Sequence, residues 1–209
     1  MGKLLPLAIE DRWVRKRRPM LLWREKIPDS WLPRVLKHLP AVLVDHAHLE
    51  RKAATTAINL EKFRDLYAQV DELNAIAIEE LQHFQRVLGL LKQRGIPFGQ
   101  PYPSPWITGL MRSIRNGTRQ QVIDHLICCA FIEGRSCEKF QILARELRAA
   151  DPGLAQFYAS LVESEGSHYA TYLLMARSID ATETDQRMEF YLDFEADLLR
   201  RPHSLPILH

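Results

Sequence analysis

The sequence predicts an all-α protein built as a four-helix bundle with one long crossover connection. Apolar residues recur at helical spacing over long stretches, and there is no convincing run of alternating β-branched residues bounded by tight turns. A segment rich in proline and glycine, residues 95–117, separates two pairs of long helical patterns. A chain of 209 residues suits one globular domain, so we expect residues 1–209 to form a single unit.

The N-terminal part, residues 1–30, is a basic, proline-punctuated arm. Ser30 marks the start of a short accessory helix, and Gly95 marks the end of the second long helix. Thr118 and Gln121 have the spacing of a capping box, and Pro152 suits the first turn of a helix. The predicted helices cover residues 31–39, 41–67, 72–94, 118–149, 152–178 and 183–200.

This order of two long helices, a long connection, two more long helices and an accessory helix is the ferritin-like arrangement. We expect the last helix to turn Met188, Tyr191, Phe194 and Leu198 inward.

Composition narrows the class of protein. Hydrophobic residues make up 46% of the chain and charged residues 26%, which excludes a disordered or collagen-like chain. No apolar run approaches the roughly 20 residues that cross a bilayer, and no secretory signal is evident, so we expect a cytoplasmic protein without a membrane partner. The three cysteines, of which Cys128 and Cys129 are adjacent, fit a reducing compartment.

Acidic residues and histidines interrupt the apolar stripe of each long helix. In the first, the stripe Leu43, Ala47, Glu50, Ala54, Ala57 carries one glutamate among small residues. The second and fourth helices each carry a Glu-x-x-His pair in the stripe, and the third carries a single glutamate. The six candidate metal ligands are therefore Glu50, Glu80, His83, Glu133, Glu165 and His168.

Burying these carboxylates without a cation would cost several kcal/mol each. Residues three apart share a helix face, so each Glu-x-x-His pair can direct a carboxylate and an imidazole inward. Four glutamates and two histidines are the set that holds two metal ions in carboxylate-bridged bundles, with iron favoured over manganese. The alternative, interhelical salt bridges, would need Lys or Arg in the facing stripes, and none occurs there.

Residues near these six have more ordinary interpretations. We expect Glu79 and Glu163 to be solvated and Cys129 to be a small core residue. His46, one turn before Glu50, suits either a supporting partner of the site or an ordinary surface histidine.

Four segments resemble the MiaE family of tRNA-modifying monooxygenases. They are His46-Ala-His-Leu-Glu50, Glu79-Glu80-Leu-Gln-His83, Phe131-Ile-Glu133 and Glu163-Ser-Glu165-Gly-Ser-His168. The resemblance runs from about Val35 to the C-terminal segment, and the family's six ligands fall on the six candidates. It implies a non-haem di-iron enzyme that uses O₂ to hydroxylate the isopentenyl side chain of 2-methylthio-N6-isopentenyladenosine, beside the tRNA anticodon.

The substrate implied by the resemblance directs attention to the basic residues. A positive rim for tRNA phosphates is expected, with Tyr102 or Trp106 available to stack on a base, although solvated surface charge explains the same residues. If the rim exists, residues 95–117 border the entrance to the metal site. The candidate tRNA-binding residues are Arg15, Lys16, Arg17, Arg18, Arg112, Arg115 and Arg119.

Three other functions stay open from the sequence. A ferritin-like oxidase or oxygenase acting on a non-nucleic-acid substrate would keep the metal site, an iron-storage protein would assemble into cages, and a structural bundle would bind no metal. The chain shows no flavin or nicotinamide motif, so hydroxylation implies an external electron donor, a reductase or ferredoxin. We expect a monomer.

Overall fold

The computed structural model describes residues 23–209, and every regular element in that range is helical. The predicted all-α class is confirmed. Arg15, Lys16, Arg17 and Arg18 lie outside the described residues. The elements are α1 (Trp31–Lys37), α2 (Leu39–Leu60), a 3₁₀ helix (Arg64–Gln69), α3 (Val70–Gln93), α4 (Pro105–Arg112), α5 (Thr118–Glu146), α6 (Pro152–Ile179) and α7 (Ala181–Leu199).

Helices α2, α3, α5 and α6 form the bundle, in which α2 packs mainly on α3 and α5 on α6. Two apolar clusters fill its ends. One contains Leu73, Leu126 and Tyr172, and the other contains Leu43 and Phe140. Along α2 and α6 the chain passes from the second cluster to the first, whereas along α3 and α5 it passes the other way. The helices therefore run up, down, down and up, which requires the long crossover between α3 and α5.

The crossover contains a helix that the sequence analysis did not predict. Ser104 caps α4 by accepting a hydrogen bond from the Ile107 amide, and Pro105 occupies the first turn. These residues are the signal that was available, because a serine followed by proline is a common helix start. The density of prolines and glycines around it favoured a loop instead.

One helix ends well before its predicted end, and another has a different cap from the one predicted. The first long helix ends at Leu60 rather than near residue 67, because Phe63 takes an extended conformation with φ −84° and ψ 124°. Helix α5 begins where expected, but its cap is Gly117, with φ 114°, and no side-chain capping bond forms. Thr118 is already the first helical residue, so the predicted capping box is wrong. Asp151 caps α6 through the Leu154 amide.

A buried ion pair joins α5 to α7. Arg135 is fully buried and donates to both carboxylate oxygens of Glu195 at 2.9 and 2.8 Å. It also donates to Glu138 at 2.7 Å and lies 3.9 Å from the centre of the Trp23 ring. Tyr191 and Leu198 on α7 are buried as predicted. Both accessory helices are thus packed onto the bundle.

The last residues form an irregular but buried segment, which we call the tail (residues 205–209). The backbone of Leu208 accepts a hydrogen bond from the Trp31 indole at 2.9 Å and donates one to Asp45 at 2.8 Å. Ser104 donates to the backbone carbonyl of His209 at 2.9 Å. These contacts hold the tail between α1, α2 and α4.

Candidate metal centre

The structure brings all six predicted ligand residues into one layer between the two apolar clusters. Each is at least 95% buried. The residues that flank them along each helix belong to the apolar clusters, so the layer is closed above and below. We call this layer the six-residue cluster, and its members are Glu50, Glu80, His83, Glu133, Glu165 and His168.

Both histidines present Nδ1 to the interior. His83 Nδ1 lies 3.5 Å from Glu80 and 3.8 Å from both Glu50 and Glu165. His168 Nδ1 lies 2.7 Å from the other oxygen of Glu80. These contacts are close, yet the contacts of Glu80 lack the alignment of hydrogen bonds.

The outer nitrogen of each histidine has a different partner. His168 Nε2 lies 2.9 Å from a carboxylate oxygen of Glu79, whose side chain is 46% exposed. His83 Nε2 lies 3.4 Å from the Ser164 hydroxyl. The expectation that Glu79 is simply solvated is therefore wrong, because it orients an inward-facing imidazole. Glu163 is exposed, as expected.

His46 proves to be a supporting residue of the cluster. It is 1% exposed, and its Nε2 lies 2.5 Å from Glu50 Oε1. Its ring stacks on Tyr158 with centroids 5.6 Å apart. Burial alone would raise the pKa of Glu50, but the contact with His46 holds it below its usual range. This is the first of the two interpretations that the sequence left open for His46.

The remaining members of the cluster compete for protons. Burial and the neighbouring carboxylates raise the pKa of Glu80 to about 8, and burial also raises the pKa values of Glu133 and Glu165. Burial would lower the imidazole pKa values, but the close carboxylates raise the pKa of His83 to about 10 and that of His168 to about 9. Protons and other cations therefore compete for the buried atoms of this layer.

The donor atoms suit metal binding. Within residues 23–209, both oxygens of Glu80 and Nδ1 of both histidines are buried without a hydrogen-bond partner. Buried oxygen and nitrogen atoms without a hydrogen-bond partner lower the stability of the fold unless they bind an ion. The donors form two groups, each with atoms within 4.8 Å of one another, namely Glu50, Glu80, His83 and Glu165, and Glu80, Glu133 and His168.

A cavity of about 440 Å³ opens beside the cluster between α2, α4 and α5, and we call it the substrate cavity. The cluster forms one wall through three glutamates, and apolar side chains form much of the remainder. Helix α4 contributes Ile107 and Met111, so the crossover borders the cavity. The cluster and apolar residues of the lining include Glu50, Glu133, Glu165, Leu49, Ile107, Met111, Cys129, Ile132 and Phe140.

The candidate tRNA-binding arginines of the crossover and α5 have different surroundings. Arg115 is held by Asp124 and by Glu183, at 2.8 and 2.7 Å, and these ion pairs favour a structural role. Arg119 donates to the backbone carbonyl of Ile179. Arg112 is exposed at the end of α4, next to Met111 of the cavity lining.

The two aromatic residues expected to stack on a base differ in their exposure. Trp106 is 4% exposed and donates to Glu195 at 3.1 Å, so it cannot stack on a base. Tyr102 is 47% exposed. The sequence analysis did not select Arg51 and Lys52, which are exposed on α2 and line the substrate cavity. Their position one and two residues after Glu50 was the available signal.

The described part of the chain contains no helix that is long and apolar enough to span a membrane.

Comparisons with known proteins point to one family. The family model described as tRNA-(MS[2]IO[6]A)-hydroxylase (MiaE) matches residues 16–209. A tRNA 2-(methylsulfanyl)-N(6)-isopentenyladenosine(37) hydroxylase from Pseudomonas putida is 34% identical over 177 residues, which cover 84% of this chain and 85% of that protein. The enzyme of the same name from Salmonella typhimurium is 30% identical, over 84% of this chain and 82% of that protein.

A solved structure is also similar. It is described as protein 43 with aldehyde deformylating oxygenase activity from Synechococcus, and it superimposes with a TM-score of 0.76 at 32% identity. The match covers 86% of this chain and 91% of that chain.

Proposed function

The chain belongs to the MiaE family, and from this premise we propose that it hydroxylates the isopentenyl side chain of 2-methylsulfanyl-N6-isopentenyladenosine at position 37 of tRNA. The observation that carries the proposal is the substrate cavity, which is lined by apolar side chains and has three carboxylates of the six-residue cluster on one wall. The apolar part of this lining suits an alkenyl group.

The cluster holds two iron ions in this proposal. Four ionised glutamates would carry four negative charges, which two divalent ions would neutralise. Glu80 belongs to both groups of donor atoms. When bound, the iron pair supplies the redox chemistry that activates O₂ for attack on a C–H bond.

The protein's own residues position the reacting group. Ile107, Met111 and Ile132 enclose the isopentenyl group and exclude water, which keeps the oxidising chemistry at the substrate carbon. His46, Glu79 and Ser164 fix the ligands Glu50, His168 and His83 in place from outside the layer, so little reorganisation is needed during the reaction.

The tRNA approaches from the mouth of the cavity. Arg51 and Lys52 are exposed and line this cavity, and we propose that they contact phosphates of the anticodon loop. Two electrons per turnover come from an external reductase or ferredoxin, and the enzyme acts in the cytoplasm, where its tRNA substrate resides.

Nucleoside mass spectrometry of bulk tRNA tests the proposal. A strain that lacks the gene is complemented with the wild-type gene, with Glu165→Ala or with Glu163→Ala. Both variants remove a glutamate from α6, but only Glu165 belongs to the cluster, whereas Glu163 is exposed. We expect wild type and Glu163→Ala to restore the hydroxylated nucleoside and Glu165→Ala to leave the unhydroxylated precursor.

Two results would contradict the proposal, each in a different part. Unchanged tRNA in the deletion strain would refute the tRNA assignment, and the search would turn to small apolar substrates. Full activity of Glu165→Ala would refute the role of the cluster while leaving the substrate intact.

A further inference from the structure

The tail lies between two cavities, because Leu208 lines the substrate cavity and His209 lines a second one. The second, which we call the rear cavity, has a volume of about 430 Å³ and lies between α1, α4, α7 and the tail. Lys139 and His209 line the rear cavity, whereas Ser136 lines the substrate cavity. The mechanism above uses none of these three residues, although all are more than 90% buried.

The three side chains form a continuous hydrogen-bonded chain between the cavities. Lys139 Nζ lies 2.9 Å from His209 Nδ1, and His209 Nε2 lies 3.0 Å from Ser136 Oγ. An ammonium group can only donate, so Nδ1 accepts from Lys139 and the ring proton resides on Nε2. Nε2–H then donates to Ser136, which leaves the serine O–H as the donor on the side of the substrate cavity.

We propose that Lys139, His209 and Ser136 form a proton relay that carries protons from the rear cavity to the substrate cavity beside the six-residue cluster. The inference rests on the proposed function, because hydroxylation of a C–H bond by O₂ consumes two electrons and two protons and releases one water. The external donor supplies the electrons, and once the bound tRNA covers the mouth of the substrate cavity the protons need another route.

Each transfer balances. A Lys139 N–H bond breaks as His209 Nδ1–H forms, and His209 Nε2–H breaks as a new Ser136 O–H forms. The original serine proton passes to an acceptor in the substrate cavity, and the lysine amine regains a proton from water in the rear cavity. One proton moves per cycle. The imidazole is then protonated at Nδ1, and the next cycle requires the ring proton to return to Nε2.

The electrostatic surroundings suit a relay. Burial, reinforced by Arg135, lowers the pKa of Lys139 to about 7, so the amine exchanges protons near neutrality. Burial and Lys139 hold the pKa of His209 well below its ordinary value, so the imidazole passes a proton on rather than retaining it. The charged and titratable groups around this pair are Arg135 and Glu138 on α5, Glu195 on α7, Asp45, His46 and Glu50 on α2, Arg34 on α1 and His203.

The hydrogen bonds between Lys139, His209 and Ser136 also hold the tail in place, and this structural role can be separated from proton transfer. The tail is also held by Trp31, Asp45 and Ser104 through the backbone of Leu208 and His209, independently of the imidazole. The variant His209→Gln keeps both hydrogen bonds, because its amide oxygen can accept from Lys139 and its NH₂ group can donate to Ser136. An amide does not pass protons at neutral pH, so this variant separates transfer from packing.

Single-turnover kinetics test the relay. Dithionite-reduced, iron-loaded enzyme is mixed with O₂ and prenylated tRNA, and the hydroxylated nucleoside is quantified after rapid quenching in H₂O and D₂O. We expect His209→Gln and Lys139→Met to slow product formation at least about tenfold and to enlarge the solvent isotope effect, with wild-type iron content. The control Trp31→Phe, which removes the indole hydrogen bond to the tail outside the relay, should lower the melting temperature without changing either kinetic value.

The outcomes are distinct. A wild-type rate and isotope effect in His209→Gln would overturn the relay, and so would an equal loss in Trp31→Phe. A second measurement needs no activity: ¹⁵N NMR of the metal-free protein should show a neutral His209 protonated at Nε2. An imidazole protonated at Nδ1, or on both nitrogens, would refute the relay, whereas an inactive wild-type enzyme would refute the proposed function instead.

Discussion

The metal-free protein should lose stability as the pH rises, and the metal-loaded protein should not. Glu80 has an ordinary pKa of 4.5 and a pKa of about 8 in the folded protein. Between those values the folded state binds more protons than the unfolded state, so the free energy of unfolding falls as the pH increases. His83 acts in the same direction, because its folded pKa of about 10 exceeds its ordinary 6.5 and its stabilisation is lost above neutrality.

The magnitude follows from the difference between the folded and unfolded pKa values. Each pKa unit is worth about 1.4 kcal/mol, so Glu80 alone costs on the order of 5 kcal/mol by about pH 8. That is a large part of the stability of an ordinary domain. Glu50 does not oppose the trend in this range, since its lowered pKa stabilises the fold above pH 4.5 and that contribution is already complete. Bound cations replace the protons and remove the penalty.

Urea denaturation at about pH 5.5, 7.0 and 8.5 measures the effect, with chelator-treated protein compared with protein loaded with Mn²⁺ as an air-stable probe. We expect the gap in unfolding free energy between the two forms to widen with pH. Glu80→Gln should flatten the metal-free curve and abolish the gain from metal, whereas Glu163→Gln should behave as wild type. A metal-free wild-type curve that is flat or rises across this range would refute the reasoning.

Three further outcomes test the cavity and the packing. Met111→Trp should fill part of the substrate cavity and lower tRNA hydroxylation at least about tenfold while iron content stays unchanged, as measured by nucleoside and metal analysis. Arg135→Met should cost about 3–5 kcal/mol in urea denaturation by stranding buried Glu195, and adding Glu195→Leu should recover most of it. Gly109→Ala should lower the free energy of unfolding by about 1–3 kcal/mol, because its Cβ would lie 2.5 Å from a leucine of α7. Gly89→Ala, whose Cβ would have nothing within 4 Å, should raise the free energy of unfolding by about 0.5–1 kcal/mol, and thermal unfolding measures both.

The ligand positions were predictable because helical periodicity encodes them directly. A residue such as Glu133 that occupies an apolar stripe must face the bundle interior, whatever the exact angle between helices. Four such stripes, two with a Glu-x-x-His pair, place their charges at one level once the helices are arranged up, down, down and up. The same periodicity yielded the inward face of α7, including Tyr191.

The supporting contacts could not be read from the sequence, because they depend on the rotation of one helix against another. His46 and Glu79 lie beside ligands in sequence, yet only packing decides that one is buried and that the other reaches His168. The tail was beyond prediction for a related reason. An irregular segment has no period, and His209 contacts residues that are 70 or more positions away in the sequence.

The outer contacts make the two ends of the cluster unequal. His168 meets a carboxylate at its Nε2, whereas His83 meets only a hydroxyl at a longer distance. A carboxylate partner makes an imidazole a stronger electron donor, so His168 is the stronger donor of the two histidines. Glu50 and Glu133, from different groups of donor atoms, both line the substrate cavity, so in the proposed function the carbon to be oxidised would face two chemically different groups rather than one symmetric pair.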